Sequence, residues 1–110
     1  MARILLSESD PSVCGLLEAV LVRSGHDPVV IDGPPAPDLP EGDLLVAEPA
    51  YGDGLRHAQT LRRHDASFPI VLVSILPPMS TFIALSPAAY LMKPFSLAAL
   101  ERAVQEALQH

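Results

Sequence analysis

The sequence is poor in the residues that mark several classes of protein. It has a single cysteine in 110 residues, Cys14, so an intramolecular disulfide is excluded, as is typical of a reducing compartment. Seven basic against thirteen acidic residues give a net charge of −6, which argues against nucleic-acid binding because phosphate contacts need clustered cations. Long hydrophobic runs are missing too. The N-terminal run at 4–6 is too short for a signal peptide, and nothing approaches the ~18 apolar residues of a membrane span. We therefore expect a soluble, cytoplasmic, single domain over residues 1–110.

What the sequence does contain is short apolar runs separated by amphipathic stretches. Strands are predicted for the runs at residues 3–7, 29–32, 43–47, 69–74 and 88–92. Helices are predicted after the capping residues Asp10, Asp53 and Ser96, where apolar residues recur at helical spacing. Continuous apolar strands alternating with helices indicate an α/β fold with a doubly wound, five-stranded parallel sheet.

Two connections between the predicted strands are irregular. Residues 33–42, GPPAPDLPEG, contain four prolines and predict no helix, or a single turn, between the second and third strands. Residues 75–87, ILPPMSTFIALSP, leave room for about two helical turns before the fifth strand. Pro77 and Pro78 fix the backbone of this segment and disfavour a two-state movement there. Its crowded apolar side chains cannot all be buried, so an exposed docking surface is expected.

The residues that end the predicted strands form the candidate site. In a doubly wound fold the working crevice lies at the carboxyl ends of the strands. That rule brings together residues 7–10, Glu48, Ser74 and Lys93, the only lysine of the chain. The sequence thus predicts carboxylates, a hydroxyl and an ammonium at one edge of the sheet.

These residues resemble those of response-regulator receiver domains, and the resemblance covers nearly the full chain. It is carried by SESDP at 7–11, DLLVAE at 43–48, LVS at 72–74 and YLMKPF at 90–95. The resemblance implies a flavodoxin-like, receiver-like fold. The two irregular connections depart from it, and they predict that the family's second helix is lost or reduced and its fourth is shortened. It also implies a role in bacterial two-component signal transduction or a phosphorelay.

The acids depart from the family pattern at two positions. The resemblance places Glu48 at the phosphoacceptor position, where the family has aspartate, and Glu8, Ser9 and Asp10 in the acidic pocket, where Ser9 replaces an acid that holds Mg²⁺. The extra methylene moves the attacking oxygen by roughly 1–1.5 Å, and misplacement of about 1 Å can slow a reaction on the order of 10²-fold. Glu8, Asp10 and Glu48 remain weak candidates for Mg²⁺, but no cofactor is expected.

The sequence allows three interpretations of Glu48. It is a solvated carboxylate at a strand end, a permanent ion pair with Lys93 that imitates the charge of a modified acceptor, or a working phosphoacceptor. We expect the ion pair, because the longer side chain that hinders phosphoryl transfer helps Glu48 to reach Lys93.

The resemblance assigns the remaining site residues to switching and docking. Ser74 and Tyr90 stand at the switch positions, and Lys93 at that of the lysine which contacts the phosphoryl group. Pro94 is the candidate for a cis proline. The expected interaction face comprises Met79, Phe82, Ile83 and Tyr90.

We therefore expect an atypical receiver domain that is not an enzyme, is not phosphorylated and binds a protein, either a signalling kinase, a scaffold or a second copy of itself. One alternative is a working phosphoacceptor that uses Glu48 with weak Mg²⁺ binding. The other is a flavodoxin-like or phosphotransferase-type domain, which is disfavoured because no glycine-rich phosphate cradle follows the first strand and Cys14 lies inside a helix. Neither nucleic acid nor a membrane is an expected partner. No metal site is assigned to the scattered histidines His26, His57, His64 and His110.

Overall fold

A computed structural model describes residues 1–35 and 39–109 of the chain. These residues contain β1 (Arg3–Ser7), α1 (Pro11–Arg23), β2 (Asp27–Val30), β3 (Leu44–Ala47), α2 (Gly54–His64), β4 (Ile70–Ser74), α3 (Ser80–Ile83), β5 (Ala89–Met92) and α4 (Leu97–Leu108). The five strands pair in parallel in the order β2-β1-β3-β4-β5. The predicted doubly wound α/β fold is therefore confirmed.

The sheet separates two hydrophobic cores. Alternate side chains of β1 point to opposite faces, so Ile4 and Leu6 pack with α1 and α4, while Leu5 packs with α2 and α3. All residues of β3 and β4 are buried, as expected for strands that are covered on both faces.

The first helix begins where the sequence predicts it. The side chain of Asp10 accepts hydrogen bonds from the backbone N–H groups of Ser12 and Val13, and Pro11 occupies the first helical position. The inward side chains of α1 are those of Cys14, Leu17, Val20 and Leu21. Leu16 lies beside this stripe and not on it, and it is about half exposed.

The second strand begins two residues earlier than predicted and includes Pro28. Proline is tolerated there because β2 is at the edge of the sheet. The N–H groups of Asp27 and Ile31 donate to carbonyls of Ala2 and Leu6, on the β1 side. By alternation, the nitrogen of Pro28 faces away from β1 and is not needed for pairing.

The two irregular connections contain little helix. Between β2 and β3 the described residues 31–35 and 39–43 contain none, while 36–38, which belong to the predicted proline-rich stretch, lie outside the described residues. The helix α3 lies in the second irregular connection, residues 75–87, and has only 4 residues. It is shortened as predicted, but it has one turn where the sequence leaves room for about two. Pro77 and Pro78 precede it, and Ser86, with a φ of 51°, turns the chain soon after it. No helix in the described part of the chain is long and apolar enough to cross a membrane.

Candidate functional site

The carboxyl ends of β1, β3, β4 and β5 bring the predicted site residues together. The backbone ladder continues beyond the strands, since Glu48 N–H donates to the carbonyl of Ser7 at 3.0 Å and Lys93 N–H to that of Ser74 at 2.8 Å. The peptide bond between Lys93 and Pro94 is cis. The side chains that follow these strands are thereby directed into one crevice.

Lys93 stands between two buried glutamates. Its Nζ lies 2.6 Å from Oε1 of Glu8 and 3.1 Å from Oε2 of Glu48. Both glutamate side chains are fully buried, and that of Lys93 is only 12% exposed. We call Glu8, Glu48 and Lys93 the charge cluster. Its geometry is that of the predicted ion pair, and the burial of Glu48 excludes the solvated strand end.

The ammonium of Lys93 is held in its charged form. Burial by itself lowers the pKa of Lys93, but hydrogen bonds to Glu8 and Tyr51 and the ion pair with Glu48 outweigh this effect and raise the pKa above its usual value. The hydroxyl of Tyr51 lies 3.2 Å from Nζ, and the centroid of its ring is 5.4 Å away. The side chain of Lys93 is therefore positively charged at neutral pH.

The carboxylate of Glu48 is held on both of its oxygens. Oε1 accepts a hydrogen bond from the backbone N–H of Ala50 at 2.8 Å and from the hydroxyl of Ser74 at 2.9 Å. Oε2 has no hydrogen bond of good geometry among the described residues, so its charge is compensated by the ion pair with Lys93 alone.

A chain of hydrogen bonds leads from Glu48 towards the surface. The hydroxyl of Ser74, which donates to Glu48, accepts from the backbone N–H of Leu76 at 3.1 Å. The carbonyl of Leu76 accepts from the Tyr90 hydroxyl at 2.6 Å. The Tyr90 ring is stacked on Phe82 of α3, with 6.4 Å between the centroids. The two predicted switch residues, Ser74 and Tyr90, are thus connected through Leu76.

Only one of the three predicted acidic-pocket residues belongs to the charge cluster. Glu8 pairs with Lys93, and its Oε2 also accepts from the backbone N–H of Asp10 at 3.2 Å. The carboxylate of Asp10 caps α1 instead, because Pro11 starts the helix directly after it. Ser9 is exposed and lies against Gly52, where an added Cβ would come within 2.9 Å of the serine side chain.

These residues do not fit a Mg²⁺ ion as they stand. Mg²⁺ needs a near-octahedral set of oxygens at about 2.0–2.1 Å, usually with one or two carboxylates among them. Here one oxygen each of Glu8 and Glu48 is paired with Lys93, and Asp10 is engaged at the helix. In the ranges 1–35 and 39–109, no three His, Cys, Asp or Glu side chains are arranged to hold a metal.

The predicted interaction face is wrong at one residue. Phe82 is buried in the core between the sheet, α2 and α3, because it occupies the inward side of the single turn of α3. Met79 and Ile83 are exposed, by 45% and 60%, and Tyr90 is half-buried. Other exposed apolar side chains lie nearby in sequence, so we define the exposed apolar segment by Ile75, Leu76, Met79, Ile83, Met92 and Leu97.

The sequence interpretation missed the environment of His57. Its ring is buried and its Nδ1 is hydrogen-bonded to the buried Ser7 hydroxyl at 2.6 Å. A signal was present in the alternation of β1, which places Ser7 on the same face of the sheet as Leu5. A polar side chain on that face needs a partner, and His57 lies one turn after the start of the helix that covers it.

Comparison with known proteins gives structural neighbours only. No family model matches the chain, and no curated protein matches it. The receiver domain of a Francisella response regulator superposes with a TM-score of 0.82 at 22% identity, covering 99% of this chain and 98% of its own. The receiver domain of a sensor histidine kinase from Pseudomonas aeruginosa, with a magnesium ion coordinated in its active-site cleft, gives 0.81 at 21%, covering 99% and 98%. A CheY-like receiver domain protein from Methanospirillum hungatei gives 0.82 at 15%, covering 99% and 94%.

The comparison therefore identifies the structural class of this domain. This α/β domain has the fold of response-regulator receiver domains over essentially its whole length, as the sequence resemblance implies.

Proposed function

We propose that this protein is an atypical receiver-type module of two-component signalling, which is not phosphorylated, is not an enzyme and acts by binding another protein. The observation that carries the proposal is the charge cluster. At the position where the family has its phosphoacceptor, a buried glutamate is already paired with the lysine that would contact the phosphoryl group.

The geometry at Glu48 disfavours nucleophilic attack. An attacking oxygen has to approach the reacting atom to about 3–3.5 Å with a free lone pair in line. Oε1 of Glu48 accepts two hydrogen bonds and Oε2 faces Lys93, and the residue is fully buried. A donor molecule would have to break these contacts before it reached either oxygen.

The charge balance also differs from a site that uses a metal. The Pseudomonas receiver domain has a coordinated magnesium ion in its cleft. In this chain the ammonium of Lys93 lies between the carboxylates of Glu8 and Glu48 and compensates part of their charge. We infer that the lysine takes over the neutralising role of the metal, so that the protein needs no Mg²⁺.

A fixed cluster implies a fixed surface. Ser74 is already hydrogen-bonded to Glu48, and Tyr90 to the carbonyl of Leu76, so the contacts that join the site to the surface exist without modification. We infer that the protein holds one conformation. Its signal is then set by its amount and by that of its partner, and not by phosphorylation.

The exposed apolar segment is the proposed docking surface. Six of the eleven large hydrophobic side chains that are exposed in the described residues belong to it. Its partner is a protein, namely a signalling kinase, a scaffold or a second copy of the chain, and its proposed location is the cytoplasm. The net charge of −6 keeps nucleic acid an unsuitable partner.

Incubation with acetyl phosphate and Mg²⁺, followed by intact-protein mass spectrometry, tests the proposal. We expect no phosphorylated species, while a receiver domain that carries the family's aspartate serves as the positive control for the donor. A Mg²⁺-dependent adduct that disappears in a Glu48→Ala variant would show that Glu48 is a working phosphoacceptor.

A further inference from the structure

A second polar cluster lies on the α2 face of the sheet and takes no part in the proposed function. It consists of Ser7 and His57, whose exposed fractions are 3% and 1%. The hydroxyl of Ser7 and Nδ1 of His57 are 2.6 Å apart, the contact of a short hydrogen bond. Nε2 of His57 is buried and has no hydrogen-bond partner of good geometry among residues 1–35 and 39–109.

This pair joins the start of α2 to the end of β1, next to Glu48. The helix begins at Gly54, where an added Cβ would lie 1.9 Å from the carbonyl oxygen of Glu48. One turn further along, His57 reaches Ser7, and the carbonyl of Ser7 accepts the backbone hydrogen bond of Glu48 at 3.0 Å. Ser7 is therefore the residue through which His57 is connected to the backbone of Glu48.

A small pocket of about 60 Å³ leads from the surface to this imidazole. Its lining includes His57 and Ser7 on the inside and the exposed residues Ser9, Asp32 and Gly52 on the outside. A space of this size admits one or two water molecules, which need on the order of 30 Å³ each. Solvent protons thus have a route to a ring that is itself buried.

The charged groups around the ring come from three elements. Asp53 lies at the start of α2 and is 3.6 Å from Arg56, Asp32 follows β2, and Glu8, which follows β1, is paired with Lys93. Burial lowers the pKa of His57, and the Gly33 backbone together with the carboxylates of Asp53 and Asp32 opposes this shift without cancelling it. The imidazole is therefore neutral at neutral pH.

We propose that the Ser7–His57 pair is a proton-sensitive contact, which fixes the start of α2 on β1 while the imidazole is neutral and loosens when the ring is protonated in mildly acidic solution. A buried imidazolium is costly because it exchanges water for a site with little hydrogen-bonding capacity. The pair would then transmit acidification to the backbone at Glu48.

The sign of the pH effect follows from the lowered pKa. In the unfolded chain His57 has an ordinary pKa of about 6.5. Above that pH, His57 is unprotonated in both the folded and the unfolded chain. Below it, His57 binds a proton in the unfolded chain but not in the folded one. The ratio of folded to unfolded protein then falls by up to about tenfold per pH unit, until the pH reaches the lowered pKa of the folded state.

NMR of the intact chain between pH 8 and pH 5 tests the proposal. We expect the His57 ring to titrate below the ordinary histidine pKa of about 6.5, and the amides of Ser7, Glu48 and Gly54 to shift with the midpoint of His57. Titration of His57 at or above about pH 6.5, or amides that stay still while His57 titrates, would overturn the proposal. His64, at the exposed end of the same helix, is the position for a control variant.

Denaturant unfolding of matched variants at pH 7.5 and pH 5.5 provides a second test. The wild type and His64→Gln should lose up to about tenfold in the folded-to-unfolded ratio through this group, and His57→Gln should lack that loss. An equal loss of the folded-to-unfolded ratio in His57→Gln would contradict the proposal. If His57→Gln does not fold, the NMR titration of the His57 ring in the wild type still tests the proposal. None of these measurements involves a phosphoryl donor or a partner protein, so their outcome is separate from that of the proposed function.

Discussion

The charge cluster and the exposed apolar segment are opposite in character. In the cluster, Glu8, Glu48 and Lys93 satisfy one another inside the protein. In the segment, side chains such as Met79 and Ile83 are left in water although they gain nothing from it. One region has its charges paired within the chain, and the other leaves large parts of its apolar side chains exposed.

This difference bears on the proposed function, because it distinguishes a self-satisfied site from a surface that a partner could cover. A site whose carboxylates and ammonium are already paired has little to gain from a metal ion or a phosphoryl group. Covering an apolar surface with another protein is favourable because it removes apolar area from water. In the proposed function, the charge cluster therefore has a structural role and the exposed apolar segment is the surface for recognition.

Removing the ammonium should break this comparison most strongly. In Lys93→Met the carboxylates of Glu8 and Glu48 remain buried without their counter-ion, and breaking a buried pair costs about 3–5 kcal/mol. Chemical denaturation measures the loss. Arg56→Met is the matched control, because Arg56 is exposed and its contact with Asp53, at 3.6 Å, contributes at most about 1 kcal/mol. Equal losses in the two variants would show that Lys93 does not stabilise the cluster.

A methyl group at Gly54 should have the next largest effect. The added Cβ would meet the Glu48 carbonyl oxygen at 1.9 Å, so either α2 or the strand end must move, and overpacking of this kind costs about 1–3 kcal/mol. Gly15→Ala is the control within α1, where an added Cβ has no neighbour within 4 Å. It should stabilise the protein by about 0.5–1 kcal/mol. Thermal unfolding distinguishes the two, and a neutral Gly54→Ala would contradict the close approach of α2 to Glu48.

A substitution on the exposed apolar segment should affect stability least and binding most. Ile83→Ser removes a side chain that is 60% exposed and should change the free energy of unfolding by no more than about 0.5 kcal/mol. Val22→Ser, on α1 and 61% exposed, is its control. We expect Ile83→Ser alone to weaken self-association in analytical ultracentrifugation or the binding of a purified receiver-interacting kinase. Unchanged association in Ile83→Ser would remove the segment as the docking surface.

The sequence predicted those features that depend on short-range patterns. The strand positions of β3 and β4 follow from continuous apolar runs, and the start of α1 from Asp10 and Pro11. The early start of β2 could not be predicted, because Pro28 is acceptable only at the edge of a sheet, and the sequence does not show which strand is the edge.

In the site, the residue types were predictable but their partners were not. The meeting of Glu48 and Lys93 follows from the parallel sheet, whereas the hydrogen bond between Ser7 and His57 joins residues 50 positions apart. Phe82 and Ile83 are neighbours in an apolar run, and only the direction of one helical turn decides that the first is buried and the second exposed. Such directions are set by packing and not by composition.

An NMR titration of the protein with beryllofluoride and Mg²⁺ tests most directly whether the charge cluster is closed. Beryllofluoride imitates a phosphoryl group on an acceptor carboxylate, and the amides of Glu48, Ser74, Leu76 and Tyr90 report along the hydrogen-bonded chain. We predict that these amides do not move, because Lys93 already pairs with Glu48. Saturable, Mg²⁺-dependent shifts at Glu48 and Tyr90 would contradict this account.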